Sequence, residues 1–187
     1  MALPQNATQA GANIEVKLRC ADLCAVRAAA LRLGARPHAE ESQVDTYFAT
    51  RSGRLKLREI DGARAELIPY LRADAEGARR SDYRVIPVAD GEGTRRLLAE
   101  LLGVHRVVRK RREVLLWRNV RIHLDRVESL GDFLELEAVF DGSAESEAEQ
   151  RSAVARLLRE LGLADEPCIA GSYETLLATR AAPCDTR

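Results

Sequence analysis

The side chains able to do chemistry fall at every second position in five stretches of the chain. Asn13, Glu15 and Lys17 alternate with Ile14, Val16 and Leu18, and Arg54, Lys56 and Arg58 with Leu55 and Leu57. Lys110 and Arg112 share one parity of the basic run Arg109 to Arg112. Arg121, His123 and Asp125 alternate with Val120, Ile122 and Leu124, and Glu135 and Glu137 with Leu134, Leu136 and Ala138. A repeat of two is the side-chain period of a β-strand, so each set occupies one face. Arginine and lysine on such a face donate to phosphate oxygens, whereas glutamate and aspartate oxygens suit Mg2+ or Mn2+. The combination points to a polyphosphate held with its metal. Alternation alone also describes a sheet with one solvated face. What favours a site is that five strands offer the same charge types.

Faces of this kind work together only if the strands curl around one concavity, leaving the apolar faces outside for helices to cover. Period-two segments are expected at 13–19, 43–49, 54–60, 65–72, 81–88, 106–117, 120–127 and 132–140. Short connections carrying glycine, such as Ser52-Gly53, Asp61-Gly62 and Leu130-Gly131, suit hairpins and hence antiparallel pairing. Three amphipathic helices are expected as covers. One is capped by Asp22, carries Leu23, Val26, Ala30 and Leu33, and stops at Gly34. A second follows Thr94 and ends near Gly103. The third has a Ser146/Glu149 capping box, the apolar positions Val154, Leu157, Leu158 and Leu161, and a stop at Gly162. Residues 73–80 and 89–93 read as loops.

Composition narrows the classes. With 187 residues, 46% hydrophobic and 31% charged, the chain suits one globular domain. Residues 1–11 and 179–187 read as tails around a single domain at 12–178. Twenty-nine basic residues balance twenty-nine acidic ones, so no bulk field favours nucleic acid or an anionic membrane. No apolar stretch approaches the roughly 20 residues of a membrane span, and no basic-then-apolar leader is seen, so a cytoplasmic protein is expected. Cys20, Cys24, Cys168 and Cys184 read as reduced thiols. Arg109 and Arg111 are expected to face outward, Tyr47 and Phe48 to pack, and His123 to share the inward parity either as a phosphate donor or as a packing residue.

The order of motifs, N-I-E-V-K at 13–17, Q-V-D-T-Y-F at 43–48, R-L-K-L-R-E at 54–59, S-D-Y-R-V-I-P-V at 81–88, V-V-R-K-R-R-E at 107–113, R-I-H-L-D-R-V-E-S-L-G-D-F-L-E-L-E at 121–137 and S-Y-E-T-L-L at 172–177, resembles the CYTH superfamily of triphosphate tunnel enzymes. Within it the class IV adenylate cyclase-like proteins are most similar. The resemblance implies a mainly β (α+β) fold, a closed eight-stranded antiparallel barrel with a charged lumen and helices packed outside. It also implies a small-molecule triphosphate partner, such as ATP, tripolyphosphate or thiamine triphosphate, with Mg2+ or Mn2+. Carried over by motif, Glu15, Glu135 and Glu137 stand as metal ligands. Lys17, Lys56, Arg58, Arg72, Arg84, Lys110 and Arg112 stand as the triphosphate clamp, and Asp125 and Lys17 as catalytic residues. Asn13 departs from the usual E-x-E-x-K opening, leaving the site one charge poorer, and Tyr70 and Arg72 stand where many members have lysine. The implied reaction is ATP to cyclic AMP and pyrophosphate, or release of orthophosphate by a tripolyphosphatase or thiamine triphosphatase. A binding module that turns nothing over is the alternative of another class. Outer strands could support a homodimer.

Overall fold

A computed structural model describes residues 9–71, 79–140 and 143–181. The elements are β1 (Gln9–Arg19), α1 (Leu23–Arg32), β2 (Arg36–Phe48), β3 (Arg54–Ile60), β4 (Arg64–Leu71), β5 (Arg79–Val88), α2 (Gly91–Leu102), β6 (Val104–Trp117), β7 (Val120–Val127), β8 (Gly131–Phe140), α3 (Ala144–Glu160) and α4 (Tyr173–Ala181).

Every ladder is antiparallel, in the order β1-β5-β4-β3-β2-β6-β7-β8, and β1 pairs with β8 as well as with β5. The β4–β5 ladder is interrupted. Leu67 pairs with Ile86 and the next pair is Tyr70 with Tyr83, so Ile68 and Pro69 have no partner on that side. Pro69 has no N–H to donate. The closed barrel expected from the sequence is corrected to a strongly curled half-barrel of eight strands, whose hydrogen-bonded order returns to β1.

Alternation sorts the two faces as expected. Ile14, Val16, Leu18, Leu115, Val120, Ile122, Leu134, Leu136 and Ala138 form one outer cluster with Leu23, Val26 and Ala30 of α1 and Val154 and Leu157 of α3. Leu136 is fully buried, and its truncation to alanine would cost about 2–5 kcal/mol. A second outer cluster sets Phe48, Leu57 and Ala65 beneath Leu98 and Ala99 of α2.

Caps set the helix ends. Asp22 accepts from Ala25 N at 2.9 Å, as expected. The second helix starts earlier than Thr94, because Asp90 caps it by accepting from Gly93 N at 2.8 Å; residues 91–93, read as loop, are its first turn. Ser143, not Ser146, caps α3, accepting from Ser146 N at 3.3 Å. In the three-residue β3–β4 connection, 61–63, Asp61 and Gly62 take left-handed φ of 53° and 65° while Ala63 N donates to Ile60 O. Strand β1 begins at Gln9 and helix α4 reaches Ala181.

Helix α4 was not expected. It brings Tyr173, Leu176 and Leu177 against Tyr47, Ile68, Val108, Val127, Leu130 and Phe133, an apolar layer that fills one end of the concave face. Cys20, Cys24 and Cys168 are free thiols, and Cys184 lies outside the described residues. Among the described residues no helix is long and apolar enough to cross a membrane.

Candidate active site

Beyond the apolar layer the concave face holds a cavity of about 360 Å3, within the usual range for small-molecule sites. One wall is centred on Asp45 of β2. Strand register sets Asp45 opposite Arg58 and Tyr47 opposite Lys56. Asp45 is 2% exposed and accepts from Arg58 Nε at 2.7 Å, Arg58 Nη2 at 2.8 Å, Lys56 Nζ at 2.9 Å and Lys110 Nζ at 3.4 Å. One carboxylate thus holds three cations.

The facing wall, from β1, β7 and β8, has the opposite balance. Register sets Glu15 opposite Glu137, Lys17 opposite Glu135, His123 opposite Glu135 and Arg121 opposite Glu137. Glu135 is bonded to Lys17 Nζ at 3.2 Å, Arg112 Nη2 at 3.2 Å and His123 Nδ1 at 3.2 Å. Glu137 accepts from Arg121 Nη1 at 3.2 Å and from Asn13 Nδ2, with His123 Nε2 at 3.7 Å. Arg112 joins the walls. It donates to both oxygens of Asp125 at 2.6 Å, and Tyr173 Oη donates to Asp125 at 2.7 Å. The Tyr173 ring also lies 4.2 Å from Lys17 Nζ and 5.4 Å from Lys110 Nζ, close enough for cation–π attraction.

Burial and pairing compete at every charged group here. Burial pushes the Asp45 carboxyl up, but Arg58, Lys110 and Lys56 outweigh it and hold it well below the usual carboxylate range. The same contest, won by Lys17 and Arg112, holds Glu135 well below its usual value. For Lys110, burial dominates, aided by Arg112 and Arg58, and lowers the pKa to about 7; for Lys56, burial and Arg58 lower it to about 8.

Most residues singled out in the sequence meet here. Glu15, Lys17, Lys56, Arg58, Lys110, Arg112, Glu135 and Glu137 all line the cavity. Asp125 does not. It is fully buried and does not itself line the cavity, but it holds two residues that do, Arg112 and Tyr173. Arg84 is corrected: Val85 lines the cavity, so Arg84, its neighbour of opposite parity, is exposed on the outer face. Arg72 lies outside the described residues. Arg109 and Arg111 are exposed, and Tyr47 and Phe48 are buried, as expected. His123 faces the cavity between Glu135 and Glu137. Residues without an assigned role also line it: Asp45, Gln43, Glu41, Glu66 and Tyr173. The shared parity of Glu41, Gln43 and Asp45 along β2 was the available signal for three of them; for Tyr173 none was, because α4 was not foreseen.

The donor chemistry of the β1–β8 wall fits a hard divalent cation. Two carboxylates directly opposite each other repel unless a positive charge lies between them. Asn13 Oδ1, neutral and suited to such a cation, is buried with no hydrogen-bond partner. As the side chains stand, no three His, Cys, Asp or Glu among the described residues converge on one point, since Glu135 and Glu137 are engaged with the cations around them. The cavity is formally balanced, with six Lys or Arg against six Asp or Glu in its described lining. A polyanion entering it would need part of its charge offset.

The site is the concave face of a curled antiparallel half-barrel, with cations clustered on one wall and carboxylates on the other. The chain belongs to the CYTH domain family, whose model matches residues 11–173. It is similar to the PH1012 protein of Pyrococcus horikoshii, with 31% identity over 88% of this chain and 98% of that one and a TM-score of 0.75. The fold is shared with a candidate adenylate cyclase of Vibrio parahaemolyticus, at 19% identity over 91% and 99% of the two chains and a TM-score of 0.73. It is also shared with HpAC1 of Hippeastrum, described as an adenylyl cyclase candidate with a dominant triphosphatase activity, at 16% identity over 95% and 100% of the chains and a TM-score of 0.64. Among curated proteins none matches the sequence.

Proposed function

We propose that this chain is a divalent-metal-dependent enzyme acting on a small-molecule triphosphate in the charged cavity, in the adenylate cyclase-like manner: ATP to cyclic AMP and pyrophosphate. The observation that carries the reading is the polarised cavity, cation-rich around Asp45 and carboxylate-rich across β1 and β8. Lys56, Arg58, Lys110 and Arg112 bind the phosphate oxygens, with Asp125 and Tyr173 fixing the angle of the Arg112 guanidinium. Lys17, between Glu135 and the Tyr173 ring, bridges the two walls. Glu15, Glu135 and Glu137, with Asn13 Oδ1, would hold Mg2+ or Mn2+, which when bound supplies charge neutralisation for the phosphoryl oxygens. The protein's own task is then positioning and electrostatic stabilisation, which phosphoryl chemistry needs more than a protein nucleophile.

A second reading, hydrolysis with release of orthophosphate, is favoured by the activity described for HpAC1. The deciding experiment incubates purified protein and Mg2+ or Mn2+ with ATP, thiamine triphosphate or tripolyphosphate in parallel. Cyclic AMP with matching pyrophosphate supports the cyclase; orthophosphate without cyclic AMP makes it a triphosphatase. Ligand-dependent protection against melting with no product identifies a binding module.

A further inference from the structure

The basic residues of β6 do not all serve the lumen. Arg106 and Arg109 of β6, Glu128 and Ser129 of the β7–β8 turn, and Leu177 and Arg180 of α4 line a second pocket of about 350 Å3, which shares no lining residue with the lumen cavity. Arg180 Nη1 donates to Ser129 O, tying the end of α4 to the turn. Arg106 is half-buried, and its Nε is enclosed with no hydrogen-bond partner. Arg109 is exposed. Among the described residues neither arginine has an ion pair, and Glu128 pairs with none of the three guanidiniums although it lies in the same pocket. Three guanidiniums thus stand against one carboxylate, a formal charge of +2. A half-buried charge that the protein leaves uncompensated is costly, and an anion seated among the three removes that cost.

We propose that this pocket is a second anion site, outside the lumen, for inorganic phosphate or pyrophosphate, and that its occupant clamps α4 to β6 and to the β7–β8 turn. Planar guanidiniums suit phosphate oxygens, because each can donate two parallel N–H bonds. Here they come from two separate elements, so one anion between them joins β6 to the helix. The consequence reaches the lumen through α4. Leu177, in the pocket lining, packs in the same apolar layer as Tyr173, and Tyr173 Oη donates to Asp125 at 2.7 Å. An anion bridging Arg180 to Arg106 and Arg109 therefore holds the far end of the helix whose first residue enters the lumen. The site does not depend on which reaction the lumen performs.

The test titrates metal-free protein with inorganic phosphate and with pyrophosphate by calorimetry, in wild type and in Arg58→Ala, which weakens the lumen clamp. Both proteins should show an anion site of the same affinity. Adding Arg106→Gln and Arg109→Gln to Arg58→Ala should weaken that site by about tenfold or more, as loss of charged hydrogen bonds does. Glu128→Gln on the same background should tighten it by about threefold, the scale of one exposed charge, and a gain of affinity is not imitated by misfolding. Hydrogen exchange over 173–181 in Arg58→Ala should slow on adding phosphate, and should not change in the protein that also carries Arg106→Gln and Arg109→Gln. Binding that survives those two substitutions at full strength would overturn the pocket, as would a wild type that binds neither anion. Binding that vanishes in Arg58→Ala would place every anion in the lumen and overturn it too. Exchange in α4 that is unmoved at saturating phosphate would overturn the clamp.

Discussion

The two walls of the cavity use the same residue types in opposite proportion. On the β2–β3–β6 side, Asp45 holds Lys56, Arg58 and Lys110. On the β1–β8 side, Glu15, Glu135 and Glu137 share strand faces with Lys17 and Arg19, and take other partners from β6 and β7. The difference teaches how one cavity can take an anion and a cation together. Around Asp45 the single carboxylate keeps three cations apart and oriented without satisfying them. Across β1 and β8, register sets the carboxylates of Glu15 and Glu137 directly opposite each other, with Arg121 and His123 beside Glu137. Each wall is set up for a ligand of the other sign, and a buried pair in such a place is costly to break from one side only.

Removing a carboxylate from the acidic wall should have the largest effect. Glu137→Ala is expected to lower metal-dependent kcat by about 100-fold or more while the melting curve stays cooperative; a turnover near that of wild type would remove Glu137 from the metal set. On the cationic wall, Arg58→Ala is expected to raise KM for the triphosphate by about 10- to 100-fold, since charged hydrogen bonds contribute about 1.5–3 kcal/mol each. A wild-type KM would show that the phosphates sit elsewhere.

Asp45→Asn sharpens the comparison by acting on stability. One buried and two half-buried cations lose their counter-charge, for which about 3–5 kcal/mol of destabilisation is expected, and added tripolyphosphate should restore much of the lost Tm. Unchanged melting without ligand would mean that water, not Asp45, balances the cluster.

The pH dependence follows from Lys110 and Lys56, lowered mainly by burial to about 7 and about 8. The unfolded chain keeps both protonated to a higher pH than the folded one. Their linkage therefore adds stability to the ligand-free protein as pH rises from about 7 toward 10, and this gain is absent below 7. Triphosphate affinity should move the other way, weakening as both lose charge, and Lys110→Arg should flatten that decline in a titration followed by calorimetry. The smallest effect belongs to the scaffold. Asp22→Ala removes the α1 cap at about 1 kcal/mol, read by thermal unfolding, and leaves the cavity's kinetics as they were.

Much of this site could be read in advance because strand parity is a local property. Once Glu15 and Lys17 alternate with Ile14, Val16 and Leu18, the inward set is decided by steric alternation along the backbone, and the same holds for Lys56 with Arg58 and Glu135 with Glu137. Asp45 shared that legibility without a role, because its meaning lies in Arg58 and Lys110, which reach it from two other strands. Arg84 failed because it was carried over by motif, and the alignment through 61–84 depends on where the loops fall; a shift of one residue reverses every side chain.

By itself, the order of residues determined the strands, their inner and outer faces, the outer helices that α1 and α3 supply, and the charge types of the concave wall. Those follow from short-range periodicity and capping. Tertiary structure alone decided that Asp125 is bonded to Arg112 and that α4 sends Tyr173 into the lumen. The reason is that hydrogen bonds such as Tyr173 to Asp125 join residues 48 positions apart, and their geometry exists only once the sheet has curled.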